Sequence, residues 1–172
     1  MKIRLSGIVS DSIVDGTGIR LTVFVQGCTH NCADCHNPQT HALDGGYIAD
    51  TDDILARALK DPLLEGLTFS GGEPFLQPAP LADLAEKAHK NGYNRFCYTG
   101  FLYEDIIGDK EKKKLLENVD YLIDGPFIKE KKSLMLLFRG SENQRIIDVK
   151  KSLEAGKVIE TDLDDDFTIS LK

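Results

Sequence analysis

The chain has 172 residues, 28 acidic against 21 basic side chains, a net charge of −7 and 41% hydrophobic content. A chain of this size buries roughly 70% of its unfolded surface on folding, so it builds a core without disulfide staples. The acidic balance argues against nucleic acid as a partner, because phosphate binding needs a basic face. The longest apolar runs, around Val23–Val25 and Leu134–Phe138, are far too short to span a bilayer.

Met1–Gly7 contains no apolar segment of signal-peptide length, so the expectation is a soluble cytoplasmic protein. Lys2–Val9 and Ile19–Val25 read as strands, joined by the turn-rich Asp11–Gly18. A cysteine-bearing loop follows. Thr51 is placed to cap a helix in which Ile54, Leu55, Ala58 and Leu59 share a face, with Pro62 just beyond it. Gly66–Phe69 is a short strand leading into Ser70-Gly71-Gly72-Glu73-Pro74. Leu81, Leu84, Ala85 and Ala88 have helical spacing, so Leu81–Lys90 is a helix that Gly92 can end.

Asn94–Tyr98 is the next strand, closed by Thr99-Gly100. A polar helix covers Tyr103–Glu117 with a break at Gly108, and its basic run Lys110–Lys114 reads as a solvated face. Val119–Ile123 is a strand ending in Asp124-Gly125-Pro126-Phe127. Gln144–Val149 and Phe167–Leu171 read as further strands, and residues 161–166 as an acidic turn. Alternating strands and helices imply an α/β fold with a mostly parallel sheet, here as one domain over residues 1–172. Chemistry in such folds collects at the C-terminal strand ends. The cysteine loop, Ser70–Pro74, Tyr98–Gly100 and Asp124–Phe127 all fall there.

Cys28, Cys32 and Cys35 have the spacing C-x3-C-x2-C. In a reducing compartment, clustered cysteines read as metal ligands rather than disulfides. Zinc completed by His30 or His36 is one reading. A cuboidal cluster is the other; with only three thiolates it keeps one iron open, as a site that binds a reactant requires. Cys97 stands alone and reads as a small buried strand residue. Gly71 and Gly72 let a ligand approach the backbone, Pro74 fixes the exit of the turn, and Glu73 offers a carboxylate to an ammonium group.

The cysteine triplet followed by Gly71-Gly72-Glu73-Pro74 resembles the radical S-adenosylmethionine superfamily. Asp15-Gly16-Thr17-Gly18-Ile19-Arg20, Tyr98-Thr99-Gly100, Asp124–Phe127 and Arg139–Arg145 resemble, within it, the activating proteins of anaerobic ribonucleoside-triphosphate reductases. The likeness runs from about Asp11 to Val149. It implies a partial, open (β/α) barrel. It implies a [4Fe–4S] cluster on Cys28, Cys32 and Cys35, with S-adenosylmethionine chelating the open iron. Gly71, Gly72 and Glu73 would line the methionine amino end, the backbone of Asp34, Cys35 and His36 would lie against adenine, and Tyr98 and Thr99 would stand near ribose or methionine.

The implied activity is formation of a glycyl radical through a 5′-deoxyadenosyl radical. The implied partners are the large catalytic subunit of the reductase and a reductant such as flavodoxin, with a homodimer left open and neither nucleic acid nor membrane involved. The chain departs from the family pattern at Asp34, where an aromatic is frequent, and at Thr17, where proline is frequent. Asp15 and Arg20 have two readings: a turn with a surface arginine, or a receiver for the partner's glycine loop. Asn143, Gln144 and Arg145 belong either to a polar loop or to a set of donors for a backbone segment or the cofactor carboxylate. Two other functions stay open at this point: a radical S-adenosylmethionine enzyme with a small-molecule substrate, such as a deazapurine synthase, and a non-catalytic metal-binding module.

Overall fold

The computed structural model describes residues 1–163. The strand expected at Phe167–Leu171, and residues 164–166 of the acidic turn, lie outside them. Seven strands form one open sheet in the order β3-β1-β2-β4-β5-β6-β7. The strands are β1 (Lys2–Ser12), β2 (Arg20–Val25), β3 (Tyr47–Asp50), β4 (Gly66–Gly71), β5 (Asn94–Tyr98), β6 (Tyr121–Asp124) and β7 (Arg145–Asp148). Neighbours β2, β4, β5 and β6 run parallel, whereas β1 lies antiparallel to β2 and β3, and β7 antiparallel to β6. This is a partial, open α/β barrel, the fold that the resemblance implies.

Parallel strands need crossovers, and helices supply them. They are α1 (Thr51–Leu59), α2 (Pro78–Lys90), α3 (Tyr103–Ile107) and α4 (Lys110–Leu116), with α5 (Val149–Ala155) after the last described strand. Leu21, Val23, Val25, Leu67, Phe69, Cys97 and Leu122 point to one face. They bury against Ile54 and Ala58 of α1, Leu81, Leu84, Ala85 and Ala88 of α2, and Leu115 and Leu116 of α4. Each large apolar side chain so buried contributes roughly 1.5–3 kcal/mol. Cys97 has no exposed surface, as expected for a strand residue.

The opposite face of the sheet is built differently. The register aligns Arg20 with Gly66, Thr22 with Thr68 and Phe24 with Ser70, and carries on through Phe96, Tyr98, Ile123 and Ile146. Arg20 is fully buried among them. Its Nε donates to Thr68 Oγ1 at 2.6 Å, its Nη1 to Asn94 Oδ1 at 2.6 Å and Thr17 O at 2.8 Å, and its Nη2 to Leu67 O at 2.8 Å. The guanidinium also sits 4.3 Å from the Phe96 ring centre. Burial pulls its pKa down to about 10, against the raising effect of Tyr98, Glu65, Asp120 and Asp15, so it stays charged at neutral pH. Arg20 is therefore neither a surface residue nor a contact for a partner. It fastens β2, β4 and β5 and the preceding turn together.

Several boundaries move. Asp50, not Thr51, caps α1, accepting from Asp52 N at 3.0 Å; Thr51 is buried and donates to Asp83 Oδ2 at 2.7 Å. Proline opens α2 three residues before Leu81, as its fixed φ favours. Gly108 does separate α3 from α4, where Lys113 and Lys114 pair with Glu117 and Glu111 on the solvated side. β3 and α5 went unread. β3 is a four-residue edge strand, and α5 starts at the valine that ends the apolar run of β7.

Arg20→Ala is expected to leave several buried acceptors without a donor and to cost about 3 kcal/mol. Urea unfolding should show a lower midpoint with an unchanged m-value. Arg20→Lys, which cannot reproduce the planar fork, should recover only part of the loss.

Candidate functional site

β2 ends at Val25, and the cysteine loop starts at once. Gln26 is buried and pins the loop's return leg: its Nε2 donates to Ala42 O at 2.7 Å and Gln39 O at 3.2 Å. Asn31 and Asp34 hold left-handed φ of 52° and 55°, a conformation these two residue types tolerate best after glycine. The loop can therefore coil tightly enough for Cys35 N to reach Cys32 O at 3.2 Å. All three cysteines of the loop are free thiols, half-buried, and line one cleft of about 540 Å3. Burial raises the pKa of Cys28, while the backbone N–H of His30 bonds to it and pulls the other way. Asn37 N donates to Cys35 Sγ at 3.4 Å.

The glycine turn lies against the start of this loop. Gly72 N donates to Val25 O at 2.9 Å and Glu73 N to Gly27 O at 2.8 Å. Gly71 has φ +100°, and a Cβ there would meet the Phe24 backbone at 2.7 Å; a Cβ on Gly72 would run into the Gly27 carbonyl. Two glycines are thus required for the turn to press against the loop. Ser70, Gly71 and Gly72 line the cleft.

Glu73 does not present its carboxylate as expected. The side chain is 1% exposed and turned inward. Oε1 accepts from Phe75 N and Thr99 Oγ1, both at 2.9 Å. Oε2 accepts from His30 Nε2 at 2.7 Å and Gly100 N at 2.9 Å, with Thr99 Oγ1 also at 3.0 Å. A carboxylate offers about four lone-pair sites, and all are taken. An ammonium group would have to displace a donor.

Tyr98 and Thr99, at the end of β5, line the cleft with Gly100. Burial pushes the Tyr98 phenol well above its ordinary pKa, with Asp15 adding to the rise and Arg20 opposing it. From the end of β6 come Gly125 and Phe127. The Phe127 ring centre lies 4.9 Å from that of His36, so His36 has an aromatic neighbour in the segment that follows Cys35. Asp34 is exposed and ion-paired with Lys129, which holds its carboxyl below the usual range.

Asp15 lines the cleft, and its carboxylate accepts from Thr22 Oγ1 at 3.0 Å and from Ser12. Asn143, Gln144 and Arg145 are mostly spent on the protein itself. Asn143 donates to Pro126 O at 2.8 Å, Gln144 to Gly125 O at 3.0 Å, and Arg145 Nε to the buried Asp124 at 2.9 Å. Gln144 still lines the cleft, as does Arg139. Val14, Leu136 and Phe138 also line it and carried no signal in the sequence beyond being apolar. His30 was readable as a candidate zinc ligand; its bond to Glu73 was not.

A family model described as a 4Fe-4S single cluster domain matches residues 14–147. An anaerobic ribonucleoside-triphosphate reductase-activating protein of Haemophilus influenzae is 33% identical over 142 residues, covering 78% of this chain and 90% of that protein. The protein of the same name from Vibrio cholerae is 35% identical over 143 residues, with the same coverage. The chain belongs to this family of activating proteins. The chain is also similar to a pyruvate formate-lyase-activating enzyme of Clostridium pasteurianum, 40% identical over 113 residues that cover 60% of this chain and 48% of that enzyme. In fold alone, the chain is similar to QueE from Escherichia coli, with a TM-score of 0.51, 16% identity, and coverage of 72% of this chain and 71% of that one.

The site residues fit the cofactors of the family, a [4Fe–4S] cluster and S-adenosylmethionine. Three free thiols share the cleft wall, and Cys35 accepts a backbone N–H of the kind that tunes cluster sulfurs. Among the described residues, no three His, Cys, Asp or Glu side chains are gathered as a single-ion site.

Gly72→Ala is expected to force the turn off Gly27 and cost about 1–3 kcal/mol. Because the turn carries the loop, iron bound after anaerobic reconstitution should fall as well. Thermal unfolding and iron analysis of the same preparation check both.

Proposed function

We propose that this protein activates an anaerobic ribonucleoside-triphosphate reductase by installing a glycyl radical on its large catalytic subunit. Cys28, Cys32 and Cys35 hold the cluster and leave one iron for the amino and carboxylate groups of S-adenosylmethionine. Loaded with both groups and given one electron by a reductant such as flavodoxin, the site would supply reductive cleavage of S-adenosylmethionine to methionine and a radical able to take a hydrogen atom from a glycine Cα of the partner, with 5′-deoxyadenosine as the product.

The protein's own part is placement and exclusion of water. Gly71 and Gly72 offer backbone at the methionine end, and Glu73 holds their turn in place. The backbone of Asp34, Cys35 and His36 faces adenine, with Phe127 beside His36 as a further ring. Tyr98 and Thr99 border the cleft on the ribose side. Asp15, Arg139 and Gln144 supply polar groups at its other wall.

The observation that carries this reading is three cysteines, not four, opening on the same cleft as the paired glycines. A protein substrate is favoured over a small molecule by the loops beside the cleft. Val14 and Leu136 line it, and next to them in the chain Ile13, Leu134 and Met135 are 71%, 91% and 92% exposed. Apolar side chains so bare, adjoining a reaction cleft, fit a partner that covers them. No helix among the described residues is long and apolar enough to cross a membrane.

Anaerobic incubation with the large reductase subunit, S-adenosylmethionine and reduced flavodoxin should give a glycyl radical signal in EPR and 5′-deoxyadenosine in about equal amounts. Formation of 5′-deoxyadenosine with no protein radical would reassign the substrate. Cys28→Ala, Cys32→Ala and Cys35→Ala should each abolish a stable cluster. Cys97→Ala should keep it, because that thiol is wholly buried in β5.

A further inference from the structure

His30 lies two residues after Cys28 and two before Cys32. It touches the cluster loop and the cofactor-side turn at once. Its backbone belongs to the cysteine loop, and its ring Nε2 meets Glu73 Oε2 at 2.7 Å. The ring is held from other sides too. Phe101 packs edge-on with centroids 4.6 Å apart, and a Cβ on Gly100 would fall 2.6 Å from the imidazole.

We propose that His30 and Glu73 form a positioning pair that sets the Cys28 corner of the cluster relative to the glycine turn. Cysteine loop, turn and β5 exit all donate to this carboxylate. Oε2 accepts from the cysteine loop through His30 and from the β5 exit through Gly100 N; Oε1 accepts from Phe75 N, just past the turn, and from Thr99. Nε2 must carry the proton, because a carboxylate only accepts. Glu73 thereby acts through other groups. This pair rests on the proposed cluster site, although its geometry does not.

Two consequences follow for His30→Ala. The loop end of the linkage is released, so Cys28 and Cys32 are no longer fixed against the turn, and the reduction potential, which follows the surroundings of the cluster sulfurs, should shift. The turn also loses its fixed distance from the open iron. Partners that orient metal ligands typically cost 10–100-fold when removed, so affinity for S-adenosylmethionine should fall by about 10-fold or more. His30→Gln keeps a side-chain donor and should restore much of both. Thr99→Val removes another donor to Glu73 without touching the loop; it should weaken S-adenosylmethionine binding and leave the potential unchanged.

The test has two arms. In the cluster-free protein, 1H–15N spectra of His30→Ala should show shifted Gly100 and Phe75 amides, and His30→Gln should return them toward the wild type. In reconstituted protein, redox titration and S-adenosylmethionine binding are compared across the same variants. A purely structural histidine would lower thermal stability while the folded protein kept its potential and affinity. Unmoved amides, or a loaded His30→Ala variant with wild-type potential and affinity, would overturn the pairing. If the wild type took up no cluster, the proposed function would fall, and the amide shifts would still judge the His30–Glu73 linkage.

Discussion

A carboxylate with 1% of its surface exposed must find hydrogen bonds inside the protein, because an unpaired buried charge costs several kcal/mol. Glu73 finds them on separate pieces of chain: His30 in the cysteine loop, Phe75 beside its own turn, and Thr99 and Gly100 at the end of β5. That requirement converts neighbouring loops into one rigid site. It also explains why Gly100 stands where it does, since any side chain there would occupy the space of the His30 ring.

The sheet creates the conditions for this meeting. β2, β4, β5 and β6 are parallel neighbours, so their exits share one rim. Apolar packing against α1, α2 and α4 fixes one face, and Arg20 closes the other with hydrogen bonds to the strands beside it. The result is a stiff base and a rim of loops, which is the division of labour a radical enzyme needs. The reacting groups must be held close together, yet a partner's backbone must be able to enter. Ile13, Leu134 and Met135 stay exposed beside the cleft, where the proposed partner would cover them.

Much of this was legible in the chain. Glycine, proline and cysteine at the ends of apolar runs announce strand exits, because each has backbone or ligand chemistry that a strand interior does not use. The four exits therefore showed themselves as Cys28–Cys35, Ser70–Pro74, Tyr98–Gly100 and Asp124–Phe127. What stayed hidden depends on partners distant in sequence. Glu73 looked like a free carboxylate because His30 lies 43 residues away. Arg20 looked like a surface residue because Asn94 lies 74 residues away. Asn143 and Arg145 looked available because Pro126 and Asp124 were not visible as their acceptors. Local pattern gives the elements, while the assignment of buried polar groups awaits the tertiary contacts that satisfy them.

The most direct test of the central claim is the EPR spectrum of the anaerobically reconstituted, dithionite-reduced protein, recorded with and without S-adenosylmethionine. The account predicts a reduced [4Fe–4S] signal that changes on addition, because the cofactor occupies an iron that the three cysteines leave open. A cluster signal indifferent to S-adenosylmethionine, or stoichiometric zinc in place of a cluster, would contradict it.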